Sequence, residues 1–282
     1  MKKLITAILF LLPVSAFAAG GGTFYPNEPA NIDLSDKTSL QNGAKLYINY
    51  CLGCHSMEYV RYSRIAQDLE LTEEQTVNNL ILGDQKFGDT MDKSMNSDLA
   101  KKWFGVDPLD LTLVARVRGE DWVYNYLRSF YVDNDPARPF GVNNTVFPDV
   151  GMPHVLADLQ GLQTKSDALL SVEEQIAEAK SVLNDSEASA EAKSEAKAQQ
   201  SKAESEMAKL AAEGKMFVQI KEGKMTPEEY DENIRDLTAF MAYTANPVKL
   251  ESKRMGVWVL LFLFVLLIFA YFLKKEFWKD VH

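Results

Sequence analysis

Apolar residues recur at helical spacing along much of the chain, and the breaks between those runs outline its organisation. In SLQNGAKLYINYC, starting at Ser39, the residues Leu40, Ala44, Tyr47 and Ile48 share one face, which predicts a helix with Cys51 at its C-terminal end. Residues 72–82 predict a second, short helix in which Thr72 is the N-cap and Gln75 completes a capping box. EDWVYNYLRSFYV, residues 120–132, opens with acids and gathers Trp122, Val123, Tyr126, Leu127 and Phe130 on an apolar face. Residues 226–246 predict a clean amphipathic helix: Thr226 caps it, Pro227 occupies its first turn, and Tyr230, Ile234, Leu237 and Met241 line one side. Residues 83–108 read as loop-rich, and 133–154, with Pro136, Pro139, Pro148 and Pro153, as an extended irregular loop. Strand signals are almost absent.

From 162 to 213 the chain changes character, becoming rich in Ala, Glu, Lys, Ser and Gln without Gly or Pro. Leu169, Val172, Ile176, Ala179 and Leu183 form a coiled-coil seam, the turn formers of 183–189 interrupt it, and Ala203, Met207 and Leu210 resume it, so an antiparallel helical hairpin is expected. Each end of the chain carries an apolar run of a different kind. Residues 1–18 place Lys2 and Lys3 before a short apolar stretch and then Ala16 and Ala18, the pattern of a secretory signal peptide, too short to span a bilayer. Residues 255–273 are uncharged throughout and, at about 1.5 Å per residue, long enough for one membrane-spanning helix. Lysines and arginines balance on its two sides, so orientation rests on the signal peptide: residues 19–254 exported, 274–282 left in the cytoplasm.

Composition is that of an ordinary globular protein, and the formal net charge of −10 disfavours nucleic acid while suiting a basic protein partner. The 2 cysteines and one of the 3 histidines fall in a single motif, Cys51-Leu52-Gly53-Cys54-His55. C-x-x-C-H is the attachment signature of c-type haem: two thiols at this spacing each form a thioether with one vinyl group, and the adjacent imidazole is held against the iron. A thioredoxin-like pair wants a preceding strand and a βαβ setting, and a zinc site wants further ligands that the remaining histidines, His154 and His282, supply poorly. A disulfide across so small a loop stabilises little.

An electron-transfer haem needs a sixth ligand, and a thioether favours the ferrous form. Met91 and Met95 lie in a polar loop, whereas Met152 sits between Gly151 and Pro153 in a rigid turn suited to presenting one side chain; His154 is its rival.

Beyond the motif, GAKLYINYCLGCHSMEYVRY, DPLDLTLVARVRGEDWVYNYL, NNTVFPDVGMPHVL and RDLTAFMAYTANP, with Lys253-Arg254-Met255-Gly256 leading into the span, resemble the cytochrome c1 family. That family supplies the membrane-anchored haem subunit of quinol:cytochrome c oxidoreductases (cytochrome bc complexes). The likeness runs over roughly residues 31–160 and 224–282 and leaves out the hairpin. It implies one covalent haem c on Cys51 and Cys54, His55 and Met152 as axial iron ligands, and Arg118 on a haem propionate, with Arg116 ranked second. It implies an all-α fold: a class I cytochrome c-like domain with the hairpin inserted at 162–213 and one C-terminal transmembrane helix. Function would be single-electron transfer from a Rieske iron-sulfur subunit to a soluble or tethered c-type cytochrome, beside cytochrome b, with no bond chemistry of its own. The location implied is a bacterial inner membrane, single-pass, with the haem domain in the periplasm and membrane lipid around its anchor. The contrasting functional classes are a catalytic or sensory single-haem protein with an open sixth site, and a structural tether recruiting partners through the hairpin. Mitochondrial members read Pro-Pro-Asp-Leu at Pro108-Leu109-Asp110-Leu111, and Met-Ala-Pro-Pro where this chain has Met152-Pro153-His154.

Overall fold

The Asp36 carboxylate accepts from the backbone N–H groups of Thr38 and Ser39 at 2.9 and 3.2 Å and so opens helix α1 (Lys37–Tyr50). The computed structural model describes residues 25–279; the expected signal segment 1–18 and the last residues of the C-terminal tail lie outside the described residues. After α1 come strand β1 (Met57–Arg61), α2 (Tyr62–Asp68) and α3 (Glu73–Asn79). The Thr72–Gln75 capping box forms as the sequence predicts, but α3 stops at Asn79, short of the expected residue 82. β2 (Thr90–Met91) pairs antiparallel with β1, setting the buried Met57 opposite the buried Met91.

Within the stretch expected to be loop lies a helix, α4 (Ser97–Phe104). The Asn96 side chain caps it, and Gly105, at φ 76°, takes the left-handed conformation that ends it. Two short helices follow, α5 (Val114–Arg118) and α6 (Glu120–Arg128). The expected helix 120–132 therefore ends early, because Phe130–Val132 is β3 and pairs antiparallel with β4 (Val142–Asn144). Then come α7 (Ala157–Gln160), β5 (Gly161–Lys165), α8 (Asp167–Asn184), α9 (Ala190–Ala212), β6 (Phe217–Glu222), α10 (Pro227–Ala245) and α11 (Lys249–Phe277). Helices dominate, and among the described residues the strands form only three two-stranded ribbons.

The core is organised by the crossing of α1 with α10. A Cβ placed on Gly43 would lie 2.1 Å from the carbonyl oxygen of Asp236, so the two backbones are in direct contact there. Ser39 Oγ and Asn42 Nδ2 donate to the Asp236 carboxylate at 2.5 and 2.8 Å, satisfying the polar groups beside the crossing. Tyr47 packs on Phe240 with ring centroids 5.9 Å apart, and the buried Tyr230 hydroxyl donates to the Leu127 carbonyl at 2.9 Å, tying in α6. Cys51 and Leu52 belong to this same cluster, so the end of α1 is fixed by the main apolar cluster of the described residues.

α8 and α9 form the expected hairpin, with a separate apolar cluster of Leu169, Val172, Ile176, Ala203 and Met207. Its base is the β5–β6 ribbon, and there Lys165 Nζ donates to Glu173 at 2.8 Å, while the Tyr25 hydroxyl donates to the same carboxylate. α11 contains the whole apolar run 255–273 and buries none of its residues against the other described residues. Its first turn is held to α6 by Lys249 and Glu120, 2.9 Å apart.

Candidate functional site

The Cys51–His55 turn is built by one tyrosine. The Tyr47 carbonyl accepts from the backbone N–H groups of Cys51 and Leu52 at 2.9 and 3.0 Å, and the Tyr47 hydroxyl donates to the His55 carbonyl at 2.8 Å. Inside the turn, the Cys51 carbonyl accepts from Cys54 and His55 N–H at 3.0 and 2.8 Å. Both ends of the motif are thereby held, and Gly53 offers its carbonyl to Met95 N–H at 3.0 Å. Cys51 and Cys54 are free thiols, the first buried and the second half-buried. Burial, and then the neighbouring Cys54, pushes the Cys51 thiol up to about 12. Burial also raises Cys54, opposed by the ammonium of Lys93. Both are protonated at neutral pH.

His55 Nδ1 lies 2.7 Å from the carbonyl oxygen of Leu109. A carbonyl can only accept, so Nδ1 carries the proton and the Nε2 lone pair is the one available to a metal. Burial lowers the imidazole's pKa, the Leu109 hydrogen bond partly opposing it, which keeps the ring neutral. The Leu109 carbonyl is set in place by its neighbour. Asp110 accepts from Ser56 Oγ at 3.1 Å, Glu58 N–H at 2.8 Å and Thr112 N–H at 2.9 Å, and Leu111 N–H donates to the Ser56 carbonyl at 2.9 Å. Sequence reasoning places Tyr47 only on the apolar face of the helix and meets Asp110 only in the comparison over Pro108–Leu111; neither is given a role at the site, and the local clue to Asp110 is its place after Pro108-Leu109, where an Asx turn forms.

Met152 follows a stretch knotted by asparagine side chains. Asn144 Oδ1 accepts from Val146 and Phe147 N–H at 2.9 and 3.0 Å, and Asn143 Oδ1 from Asp149 N–H at 2.9 Å. Met152 packs against Phe130, Val142 and Val150, and its Sδ accepts from the Tyr126 hydroxyl at 3.4 Å. His154 is placed differently: its ring lies flat on Phe130, centroids 4.9 Å apart and planes within 2°. Burial brings its pKa down to about 4, Gln160 and Asp158 opposing.

Arg118 and Met152 lie at the two ends of one aromatic row. The Arg118 guanidinium sits 5.2 Å over the Trp122 ring, Trp122 stacks on Tyr126 at 4.9 Å, and Tyr126 reaches Met152. Arg116 and Arg118 are both exposed, and no ion pair joins either to another described residue. The two halves of the candidate site meet on common ground, since Trp122 and Tyr126 pack against the cluster that holds Cys51.

The donors suit a haem better than a bare metal ion. Among the described residues no group of three or more His, Cys, Asp or Glu side chains converges to hold one. A single imidazole nitrogen with a free lone pair and a single placed thioether match the two axial positions of a porphyrin iron. Leu109, Leu113 and Val117, on the segment that holds His55, expose apolar side chains of the kind a porphyrin face covers, and the unpaired arginines suit its propionates.

Comparison with known proteins gives a consistent pattern. The model of the Cytochrome C1 family matches residues 30–281. Cytochrome c1 of Allochromatium vinosum is 47% identical over 283 residues, covering 100% of both chains. The ammonia monooxygenase gamma subunit of Nitrosomonas europaea is 37% identical, covering 100% of this chain and 99% of that one. Cytochrome b/c1 of Bradyrhizobium diazoefficiens is 23% identical over 88% of this chain and 34% of its own length.

Proposed function

The chain belongs to the cytochrome c1 family, and on that premise we propose that this membrane-anchored c-type cytochrome carries one haem covalently attached through Cys51 and Cys54. His55 and Met152 are its axial ligands, and Arg118 binds a propionate. When bound, the haem supplies a one-electron couple at nearly constant geometry.

The protein's contribution is to hold its ligands still and neutral. The observation that carries the reading is the His55–Leu109 hydrogen bond of 2.7 Å beside two free thiols, since it leaves Nε2 as the ligating atom within the attachment turn. Met152 is favoured over His154 because Met152 sits between Gly151 and Pro153 with its sulfur oriented by the Tyr126 hydroxyl, whereas the His154 ring lies flat on Phe130. Arg118 has the geometry for a propionate, its guanidinium backed by Trp122.

In the full assembly the chain accepts electrons from a Rieske iron-sulfur subunit and delivers them to a soluble or tethered c-type cytochrome, next to cytochrome b. The α11 helix crosses a bacterial inner membrane and leaves the haem domain in the periplasm. The acidic surface raises the encounter rate with a basic acceptor more than it raises affinity. Purification from membranes in mild detergent tests the reading. A low-spin spectrum with a far-red thioether-to-iron band, and co-purifying b-type haem and iron-sulfur proteins, are expected. A high-spin haem that shifts on adding cyanide or CO indicates instead a catalytic or sensory protein with an open sixth site.

A further inference from the structure

We infer that Glu120 and Lys249 form a latch that fixes the angle at which the anchor helix α11 leaves the haem domain, and so the orientation of that domain over the membrane. The inference rests on the reading of α11 as a membrane anchor. Its basis is the 2.9 Å ion pair from Lys249 Nζ to the Glu120 carboxylate, across 129 residues of chain, at a junction that little else holds.

On the domain side the junction is rigid. α10 ends at Ala245, inside the main apolar cluster, and the Tyr243 hydroxyl in its last turn donates to Asp68 at 2.7 Å. Pro247 has no N–H group, so α10 cannot run on into α11, and residues 246–248 link the two helices. On the anchor side, the Lys249 N–H donates to the Asn246 carbonyl at 3.0 Å, a bond inside the link itself. Among the described residues no other ion pair joins α11 to another element.

Glu120 is a firm point of attachment. It opens α6 directly after Gly119, whose φ of 97° ends α5, and its neighbour Asp121 accepts from the Ala30 N–H at 2.7 Å. The same helix carries Trp122 and Tyr126, which pack against the cluster that holds Cys51. The anchor is therefore tied to the framework of the candidate haem site, two residues from Arg118. The two side chains are 31% and 38% exposed, so the pair is partly shielded from water yet weak enough for salt to loosen.

The test uses the full chain with haem, in mild detergent for hydrogen exchange and in oriented lipid multilayers for linear dichroism of the haem band. Glu120→Gln and Lys249→Met each remove one charge and keep most of the side chain. Exchange at the Lys249 and Ser252 amides, which close the first turn of α11 on Asn246 and Val248, should quicken about threefold, and the dichroism should fall. Exchanging the charges, Glu120→Lys with Lys249→Glu, should bring both back. High salt should loosen the unsubstituted protein in the same way and leave the single variants as they are. Exchange and dichroism unmoved by either single substitution, or not restored by the exchanged pair, overturn the inference while leaving the anchor in place. Faster exchange along α1 as well would mean that the domain itself has loosened, and also overturns it. An unsubstituted protein that washes off membranes in alkali overturns the anchor reading and the inference with it.

Discussion

His55 Nδ1 and the Leu109 carbonyl oxygen stand 2.7 Å apart, and the side chain of Asp110 holds that carbonyl where it is. Asp110→Ala strips acceptors from Ser56 Oγ and from the Glu58 and Thr112 N–H groups at once. In a part-buried setting the loss should be about 1–3 kcal/mol, read as a lower melting temperature by circular dichroism. Asp110→Asn keeps an oxygen for part of the set and should fall between the two. A melting temperature unchanged in Asp110→Ala would show that this loop is held by something else.

The α1–α10 crossing tolerates no side chain at Gly43. Ala there would push its Cβ to 2.1 Å from the Asp236 carbonyl oxygen and 2.7 Å from Phe240 Cβ, and neither can swing aside as the tip of a flexible chain can. Gly43→Ala should destabilise by about 3 kcal/mol, the upper part of the overpacking range. Because Cys51 is in the same cluster, the variant should also yield less haem-loaded protein per total chain, measurable by pyridine haemochrome against immunoblot.

Met152 and His154 are separable by substitution. His154→Ala removes a parallel ring stack on Phe130, a contact of about 0.5–1.5 kcal/mol beyond burial, and should lower stability while leaving the far-red band in place. Met152→Ala should abolish the band and let the ferrous protein bind CO. The reverse pattern would make His154 the ligand.

The hairpin has its own apolar seam, apart from the main cluster. Ile176→Ala should therefore cost about 2–5 kcal/mol locally. Hydrogen exchange would be faster along α8 and α9, with no change at α1 or in the haem spectrum. Accelerated exchange throughout α1 would instead mean that hairpin and core unfold together.

What was legible in the sequence is what local rules control. The capping box at Thr72, the Thr226 cap, the Leu169–Ile176 seam and the termination of α1 at Cys51 all depend on residues within a few positions of each other. β1 pairs with β2 across the gap from Met57 to Met91, which no periodicity announces. By periodicity β3 continues the helix, because Phe130 falls on the apolar face that Trp122 and Tyr126 begin, and only pairing with Val142–Asn144 makes it a strand. α4 has no apolar periodicity to announce it, since it buries only Ala100; its signals are the Asn96 cap and Gly105. At the site, the motif and Met152 could be picked out by residue type. The Leu109 carbonyl could not, because a backbone group supplies the contact, and Tyr126 reads by periodicity as one more apolar residue although its hydroxyl makes the contact with Met152.

Acid should loosen the loop before Met152 ahead of the core. Asp133 accepts from Asn143 Nδ2 at 2.9 Å, Arg138 Nε at 3.1 Å and Asp135 N–H at 3.0 Å. Burial would raise its pKa, but these hydrogen bonds and the guanidinium outweigh it and leave the carboxyl below its ordinary value. The unfolded chain, with a carboxyl near 3.9, therefore binds more protons than the folded one between the two values, so stability rises with pH in that window. The contribution is complete above about pH 4 and disappears as pH falls through the lower, folded value. Hydrogen exchange at Val146, Phe147 and Asp149, whose N–H groups are tied to Asn143 and Asn144, should report it. Asp133→Asn should show weaker protection at neutral pH and no dependence across the window, and the unsubstituted protein should fall to meet it on acidification. If both proteins traced the same acid profile, Asp133 would not be the group that couples this loop to pH.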